Sequence, residues 1–202
     1  MWQRVLADAR FFELQLKFDA DLALKARAAR CADCGGRLDS ANYPRKPRGE
    51  LTKLPDNFDK KFSFCCAGCR HRTTPSSVRF LGRRVYLGGV VVLAIAMQQG
   101  LTPVRAQRLR ELFGVSRRTL DRWRAWWRDA FVDSDFWKAA KAFFSPPVAE
   151  AGLPLSMLER FGADEDSRLA PLLRFLMPIS TPAGHVADRR FRGASGTRRG
   201  GS

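Results

Sequence analysis

The sequence predicts a mainly α chain interrupted by one small β module that its cysteines must hold together. Three observations carry this expectation. Helix-compatible stretches, with Pro and Gly confined mostly to their ends, fill much of the 202 residues. Residues 31–75 change character and become rich in Cys, Gly, Pro, Lys and Arg, with only short apolar runs. The formal net charge of +16 is uneven: +7 over residues 31–84, +5 over 85–145, −2 over 146–186 and +4 over 187–202. Charge of this size favours a polyanionic partner, either nucleic acid or an anionic membrane. An apolar content of 45% excludes wholesale disorder.

Residues 1–30 read as an N-terminal helical segment. Val5, Phe12, Leu16, Leu22 and Leu24 mix with Ala and charges, and no Pro or Gly intrudes. Met1-Trp2-Gln3-Arg4, followed by Asp8 and Glu13, does not have the cationic start and apolar stretch of a secretory signal. The expected setting is therefore a reducing cytoplasm, where cysteines bind metal more often than they pair.

Residues 31–82 form the second block, a small, loop-rich module with strand-like pieces such as Lys61-Phe62-Ser63-Phe64. It has too little apolar material for a core of its own and needs a staple. Two Cys-x-x-Cys pairs, Cys31/Cys34 and Cys66/Cys69, supply one. Each such turn places two thiolates on one side of an ion, and four soft ligands suit tetrahedral Zn²⁺. Gly35-Gly36 and Gly68 permit the tight turns. Four closed ligands leave no position for water, so the zinc is expected to be structural. A redox-active Cys-x-x-Cys is the rival, and it needs a thioredoxin-like βαβ context that the sequence does not offer. Cys65 reads as a small side chain at a strand end, or alternatively replaces Cys66 in a Cys-x3-Cys pair. His71 reads as part of the basic run Arg70-His71-Arg72, or alternatively as a ligand.

Between the pairs runs Tyr43-Pro44-Arg45-Lys46-Pro47-Arg48, then Lys53, Lys60 and Lys61. Prolines hold such a stretch extended. Arg45, Lys46 and Arg48 are expected to lie along phosphates or in a minor groove; the plainer reading is a solvated loop.

Residues 83–145 read as three helices. The first, about 84–98, is apolar almost all round and should be buried, although Gly88, Gly89 and three valines make a strand the rival. Its apolar run, Val85–Met97, falls short of the roughly 20 residues of a membrane span, so no membrane partner is expected. Pro103 suits the start of a second helix, which runs to about Phe113. Gly114 breaks it, and Ser116 caps a third helix from Arg117 to about Phe131.

The stretch from Ala106 to Trp123 resembles a helix-turn-helix. Leu109, Phe113, Val115, Leu120 and Trp123 take the apolar positions that lock two helices across a glycine turn. Arg110 stands where the motif usually has a small residue. At 100° per residue, Leu120, Trp123, Trp127 and Phe131 share one face of the third helix. Arg117, Asp121, Arg124 and Arg128 share another, with Arg118 and Arg122 at its margin. Ser116, Arg117, Arg118, Asp121 and Arg122 are the expected major-groove readers, Arg124 and Arg128 the expected phosphate contacts. A solvated arginine-rich face is the plainer alternative. Trp126 falls on neither face.

The fold class is therefore mainly α, with a small β zinc-ribbon-like module and a helix-turn-helix core. A zinc ribbon followed by a helix-turn-helix resembles the DNA-binding end of bacterial insertion-sequence transposases and their accessory proteins. The resemblance covers roughly residues 31–131 and rests on the two Cys-x-x-Cys pairs, Arg83-Arg84, and Gly114-Val115-Ser116…Trp123. It implies double-stranded DNA as partner, a transposase, recombinase or second copy as protein partner, and a nucleoid-associated place in a bacterial cytoplasm. Alternatives are a nonspecific nucleic-acid-binding subunit, with Trp2, Tyr43, Phe62, Phe64 and Trp126 as stacking surfaces, and a stand-alone transcriptional regulator.

Ser145-Pro146-Pro147 reads as a linker to residues 146–186, a C-terminal helical interaction region with short helices near Leu155–Phe161 and Ser167–Met177. Pro171 should start or kink the second of these. Leu155, Leu158, Phe161, Leu172, Leu173, Leu176 and Met177 either dock a partner or cover the apolar helix 84–98. Residues 187–202 read as a basic disordered tail. No phosphate-binding glycine loop or nucleophile elbow is present, and two histidines offer little acid–base chemistry. The 57 residues after Ser145 are fewer than the on the order of 100 of a catalytic domain, so no enzyme activity is expected.

Overall fold

A computed structural model describes residues 2–48, 53–81, 86–96, 107, 111–162 and 164–180. The architecture is mainly α with a small antiparallel β part. The N-terminal segment is two helices rather than one, α1 (Trp2–Ala7) and α2 (Ala9–Ala28). Asp8 makes the break. Its extended backbone and its carboxylate, which accepts from the Arg10 N–H at 3.0 Å, cap the start of α2. Phe12, Gln15, Asp19 and Ala23, three or four residues apart, form the buried stripe of α2. Arg30 then turns left-handed (φ 62°) and delivers Cys31.

Among the described residues the β part has five short strands: β1 (Leu38–Ser40), β2 (Tyr43–Pro44), β3 (Lys60–Lys61), β4 (Phe64–Cys66) and β5 (Arg72–Thr73). One sheet has the order β1-β4-β5, with Leu38 opposite Cys66 and Phe64 opposite Thr73. β2 and β3 form a separate antiparallel pair, Tyr43 opposite Lys61. The single strand expected over Lys61–Phe64 is thus divided between two sheets. Leu38, Phe64, Cys31 and Cys66 make a small core on Ala23 of α2.

The larger core belongs to the helices. α3 (Gly88–Ala96) is helical, and Val90, Val91, Val92 and Ala94 are fully buried. Its two glycines have a packing reason. A Cβ on Gly88 would lie 3.3 Å from the Leu173 side chain, and one on Gly89 3.3 Å from both Leu6 and Leu169. The helix surrenders intrinsic propensity for close approach. Residues 111–113 are helical, and Gly114 (φ +59°) turns the chain. The rest of the helix expected from Pro103, including Leu109 and Arg110 but not Gln107, lies outside the described residues.

α4 (Arg117–Ala125) follows, capped by Ser116, whose Oγ accepts from the Thr119 N–H at 3.3 Å. Over Trp126–Phe131 the helix continues as a π-helix. Its i→i+5 repeat sets Trp126 over Phe131, ring centroids 5.6 Å apart, while Trp127 packs on Phe131 at 4.8 Å. Trp126 is therefore half-buried in the same aromatic cluster. Beyond it come α5 (Asp135–Ala140), α6 (Leu155–Leu158) and α7 (Glu165–Phe175).

Pro171 sits within α7 without ending it. Leu158, Leu169, Leu172, Leu173 and Leu176 are buried in the core that holds α3. Ser145–Gly152 forms no separating linker: Val148 and Leu153, which flank its 3₁₀ turn, belong to that core too. The apolar side chains of the C-terminal region thus cover α3. Residues 187–202 lie outside the described ones.

A buried ion pair joins the two cores. Arg79 and Asp19 are both essentially inaccessible, with Arg79 Nε donating to Asp19 Oδ2 at 2.7 Å. Asp19 Oδ2 also accepts from the Ser77 hydroxyl, and Oδ1 from the Val78 N–H at 2.7 Å. The other guanidinium nitrogens donate to the carbonyls of Phe58 (2.6 Å) and Lys60 (3.0 Å). The rings of Phe58, Phe62 and Phe80 surround the cation at 5.2 Å each. Each guanidinium nitrogen has an acceptor, which burial of such a charge requires. The Ser77 N–H donates to Ser180 Oγ at 2.7 Å, so the C-terminal turn reaches the same joint.

Candidate metal centre and nucleic-acid interface

The sulfurs of Cys31, Cys34, Cys66 and Cys69 all lie within 4.8 Å of one another, with Cys31 and Cys66 buried and Cys34 and Cys69 exposed. Two equivalent turns build the cluster. In the first, the Gly35 N–H donates to the Cys31 carbonyl at 2.8 Å and the Cys31 N–H to the Gly36 carbonyl at 3.0 Å. In the second, the Arg70 N–H donates to the Cys66 carbonyl at 3.1 Å and the Cys66 N–H to the His71 carbonyl at 2.9 Å. The fourth residue after each leading cysteine is left-handed: Gly35 at φ +67°, Arg70 at φ 62°. Sequence reasoning assigned the second turn's freedom to Gly68, whereas Arg70 takes the left-handed position.

The nearest sulfurs come from opposite turns, Cys31 to Cys69 at 3.5 Å and Cys34 to Cys66 at 3.4 Å. Four thiolates on one ion at ~2.3 Å sit roughly 3.8 Å apart in a tetrahedron. The cluster therefore has the donor chemistry and spacing of a soft, tetrahedral ion. Gly36 leaves it room, since a Cβ there would stand 2.9 Å from the Cys66 sulfur.

The protons on these thiols are unevenly held. The Cys69 backbone N–H, burial acting against it, and then the Cys34 thiol and Gly68 N–H bring Cys66 down to about 6. Cys69 feels the His71 N–H, which favours its thiolate, yet its sulfur neighbours Cys34 and Cys31 push it up to about 12. A divalent ion replaces these protons by its own charge.

The two alternative ligands stand outside the cluster. Cys65 directs its Sγ to the carbonyls of Arg70 (3.6 Å) and Cys66 (3.9 Å). His71 Nδ1 pairs with the Asp33 carboxylate, across from one turn to the other. Sequence reasoning missed this pairing; its signal was an acid inside the first Cys-x-x-Cys and a histidine just past the second.

The basic arm is held by its backbone. Beyond the β2–β3 pairing, the Arg45 N–H donates to the Asp59 carbonyl at 2.7 Å, and Arg48 bridges Tyr86, with the Leu87 N–H donating to the Arg48 carbonyl at 3.3 Å. Lys46 and Arg48 are exposed. Arg45 is half-buried, its guanidinium 5.3 Å from the Phe80 ring centroid. Lys61 departs from expectation. It is buried and its Nζ donates to the Pro75 carbonyl at 2.9 Å, so it belongs to the joint and not to a solvated arm. Burial, with Arg79 and Arg45 nearby and against the pull of Asp19, lowers its pKa to about 8.

α4 and the π-helix that continues it divide as the sequence periodicity predicts. Leu120, Trp123, Trp127 and Phe131 are buried. Ser116, Arg117, Arg118, Asp121, Arg122, Arg124 and Arg128 are exposed. Arg122 Nη2 donates to Thr119 Oγ1 at 3.2 Å, which leans it toward the capped end of the helix. Arg128 is already occupied: its guanidinium grips the Asp129 carboxylate at 2.7 and 2.9 Å, holding Asp129 below the usual carboxylate range. A phosphate would have to displace that carboxylate.

Together, fold and site define a mainly α chain that carries a four-cysteine cluster able to hold a metal ion. No family model, curated protein or solved structure matches it. No helix among the described residues is long and apolar enough to cross a membrane.

Proposed function

We propose that this chain binds double-stranded DNA as an accessory protein of a bacterial mobile element, with a structural zinc in its four-cysteine cluster. The observation that carries the reading is α4. One face is fixed in an aromatic core, and the exposed surface presents Arg118 and Arg122 opposite it, with Arg117 and Arg124 on its flank, beside a serine-capped N-terminus. Such a helix, preceded by a left-handed glycine, has the division of faces that major-groove reading requires. Arg118 and Arg122 pair with guanine edges, and Lys46 and Arg48 meet phosphates. The protein partner in this reading is a transposase, a recombinase or a second copy.

The nonspecific single-strand alternative draws less support, because four of its five stacking surfaces, all but Trp2, are engaged within the chain. Phe64 is buried, Phe62 packs on Arg79, Tyr43 lies 5.8 Å from the Arg72 guanidinium, and Trp126 sits in the aromatic cluster.

Selection of bound sequences from a random duplex pool at roughly 150 mM salt, where nonspecific backbone binding is weakened, tests the reading. The expected result is a defined motif that loses a position in Arg118→Ala or Arg122→Ala. Binding with no motif that simply collapses as salt rises overturns it.

A further inference from the structure

Tyr86 stands between the two basic regions, and nothing in the sequence marked it. Its backbone bridges Arg48, at the end of the arm. Its ring packs edge-on against Trp123, the buried face of α4, at 5.0 Å between centroids. Its hydroxyl donates to the Gly114 carbonyl at 3.3 Å, in the turn that precedes α4. Next to it, Leu87 bridges Phe80, whose ring lies under the Arg45 guanidinium. The arm is thus pinned at Arg45 and at Arg48 through backbone atoms, with Pro44 and Pro47 restricting the links between. One strand spacing, about 4.8 Å, and a pair of packed rings separate the arm from α4.

We propose that the arm Tyr43–Arg48 and helix α4 form one rigidly spaced duplex-binding surface, and that Tyr86 is the positioning residue that sets the spacing. This rests on the duplex reading above. The two parts are separated by well under a turn of B-DNA, roughly 34 Å. With α4 in a major groove, Lys46 and Arg48 fall on the backbone at its edge or in the next minor groove. The backbone that carries them is held before binding, so little loop ordering is left to oppose association. Single-stranded nucleic acid, whose phosphate spacing is not fixed, would gain nothing from a fixed offset. The occupant the geometry favours is a duplex.

Hydroxyl-radical footprinting of the metal-loaded full chain on the selected duplex tests this. The wild type is expected to protect two patches at a fixed offset within one turn. Lys46→Ala with Arg48→Ala should erase the outer patch, keep the base preference, lower affinity roughly tenfold and reduce the salt slope by about two. Arg118→Ala should erase preference at the inner patch and keep the outer one. Tyr86→Leu should blur or move the outer patch, and Tyr86→Phe, which retains the ring, should restore its offset.

Trimming the duplex on the outer side supplies a test that does not depend on how Tyr86 variants fold. It should weaken the wild type roughly tenfold and leave the Lys46→Ala, Arg48→Ala double variant nearly unchanged. An inner patch with no outer patch, or equal losses on trimming for both proteins, overturns the composite surface while the duplex reading stands. An unchanged offset in folded Tyr86→Leu removes Tyr86 from its role. No protection on any duplex sinks the duplex reading itself.

Discussion

The cysteine module and the helical body are held together by different means. Among the described residues, the module's own buried cluster has five members, two of them cysteines, and the body's cluster has thirty. The body closes aromatic rings and aliphatic chains over α3, from Leu6 through Trp137 to Leu176. The module has short strands and few apolar side chains, and a hydrophobic core of that size does not hold a fold unaided. The difference teaches where free energy must enter each part: burial in the body and, with the zinc proposed for the cysteine cluster, coordination in the module. They meet at the Asp19–Arg79 pair, which belongs to neither alone.

Withdrawing the metal should have the largest effect and fall on one side only. A structural four-cysteine zinc contributes on the order of 10–16 kcal/mol in small domains. Chelation, or Cys31→Ser with Cys66→Ser, should release amide protection across residues 31–44 and 64–73 while Val90–Ile95 and Trp137 stay protected. Hydrogen exchange read by mass spectrometry checks this. Loss of protection throughout the chain would mean that the body depends on the module, and the contrast between them would fail.

Next comes the joint. Asp19→Ala leaves the Arg79 guanidinium buried without its carboxylate, which costs about 3–5 kcal/mol. Because Arg79 also holds the Phe58 and Lys60 carbonyls, the loss should appear in both regions, as a lower midpoint for each in denaturant titration. A shift confined to one region would show that the pair does not couple them.

Legibility in the sequence follows the same division. The cysteine cluster was fully readable because Cys-x-x-Cys spacing is local chemistry: two thiols three residues apart need only a tight turn. The buried and exposed faces of α4 and the π-helix beyond it were readable because Leu120, Trp123, Trp127 and Phe131 recur every three or four residues. The joint was not. Asp19 falls on the stripe of Phe12, Gln15 and Ala23, so its burial had a local signal, but its partner is sixty residues away and only tertiary packing joins them. Lys61 misled for the same reason, since a lysine in a basic run is ordinarily solvated. Two rigid choices were also hidden: Gly88 and Gly89 weaken a helix locally, yet their lack of a side chain lets α3 pack closely. The C-terminal leucines were ambiguous because amphipathic spacing is the same for an internal cover and an external dock.

Lys61 makes the joint pH-sensitive in a defined direction. Burial lowers its pKa from 10.5 to about 8 in the folded protein. The unfolded chain therefore holds more protons between those values, and stability rises as pH rises across the window, by at most about 3 kcal/mol. It is lost again as pH falls through 8. Lys61→Met removes a titrating group together with its bond to Pro75, so its absolute stability shifts by a constant. Its dependence on pH above 8 should be flatter than the wild type's by that amount. Denaturant midpoints of both proteins at pH 7.5, 9 and 10 provide the comparison, and parallel curves would mean that Lys61 keeps an ordinary pKa.

The smallest effect sets the two cysteine turns against each other. They have the same hydrogen bonds and the same left-handed position, filled by Gly35 in one and Arg70 in the other. A non-glycine residue there costs about 1 kcal/mol or more. Gly35→Ala should therefore weaken metal retention by roughly that much, about fivefold. No heavy atom lies within 4 Å of a Cβ at Gly35, so the cost is one of backbone conformation and not of collision. Arg70→Gly should strengthen retention by a similar or smaller amount, because glycine also gains entropy in the unfolded chain. Competition with a chromophoric chelator reads both changes on one scale. Opposite signs would confirm that backbone strain, located in the second turn, separates two otherwise equivalent halves of the site. Equal signs would mean that the Arg70 side chain adds something to the turn that its backbone geometry does not show.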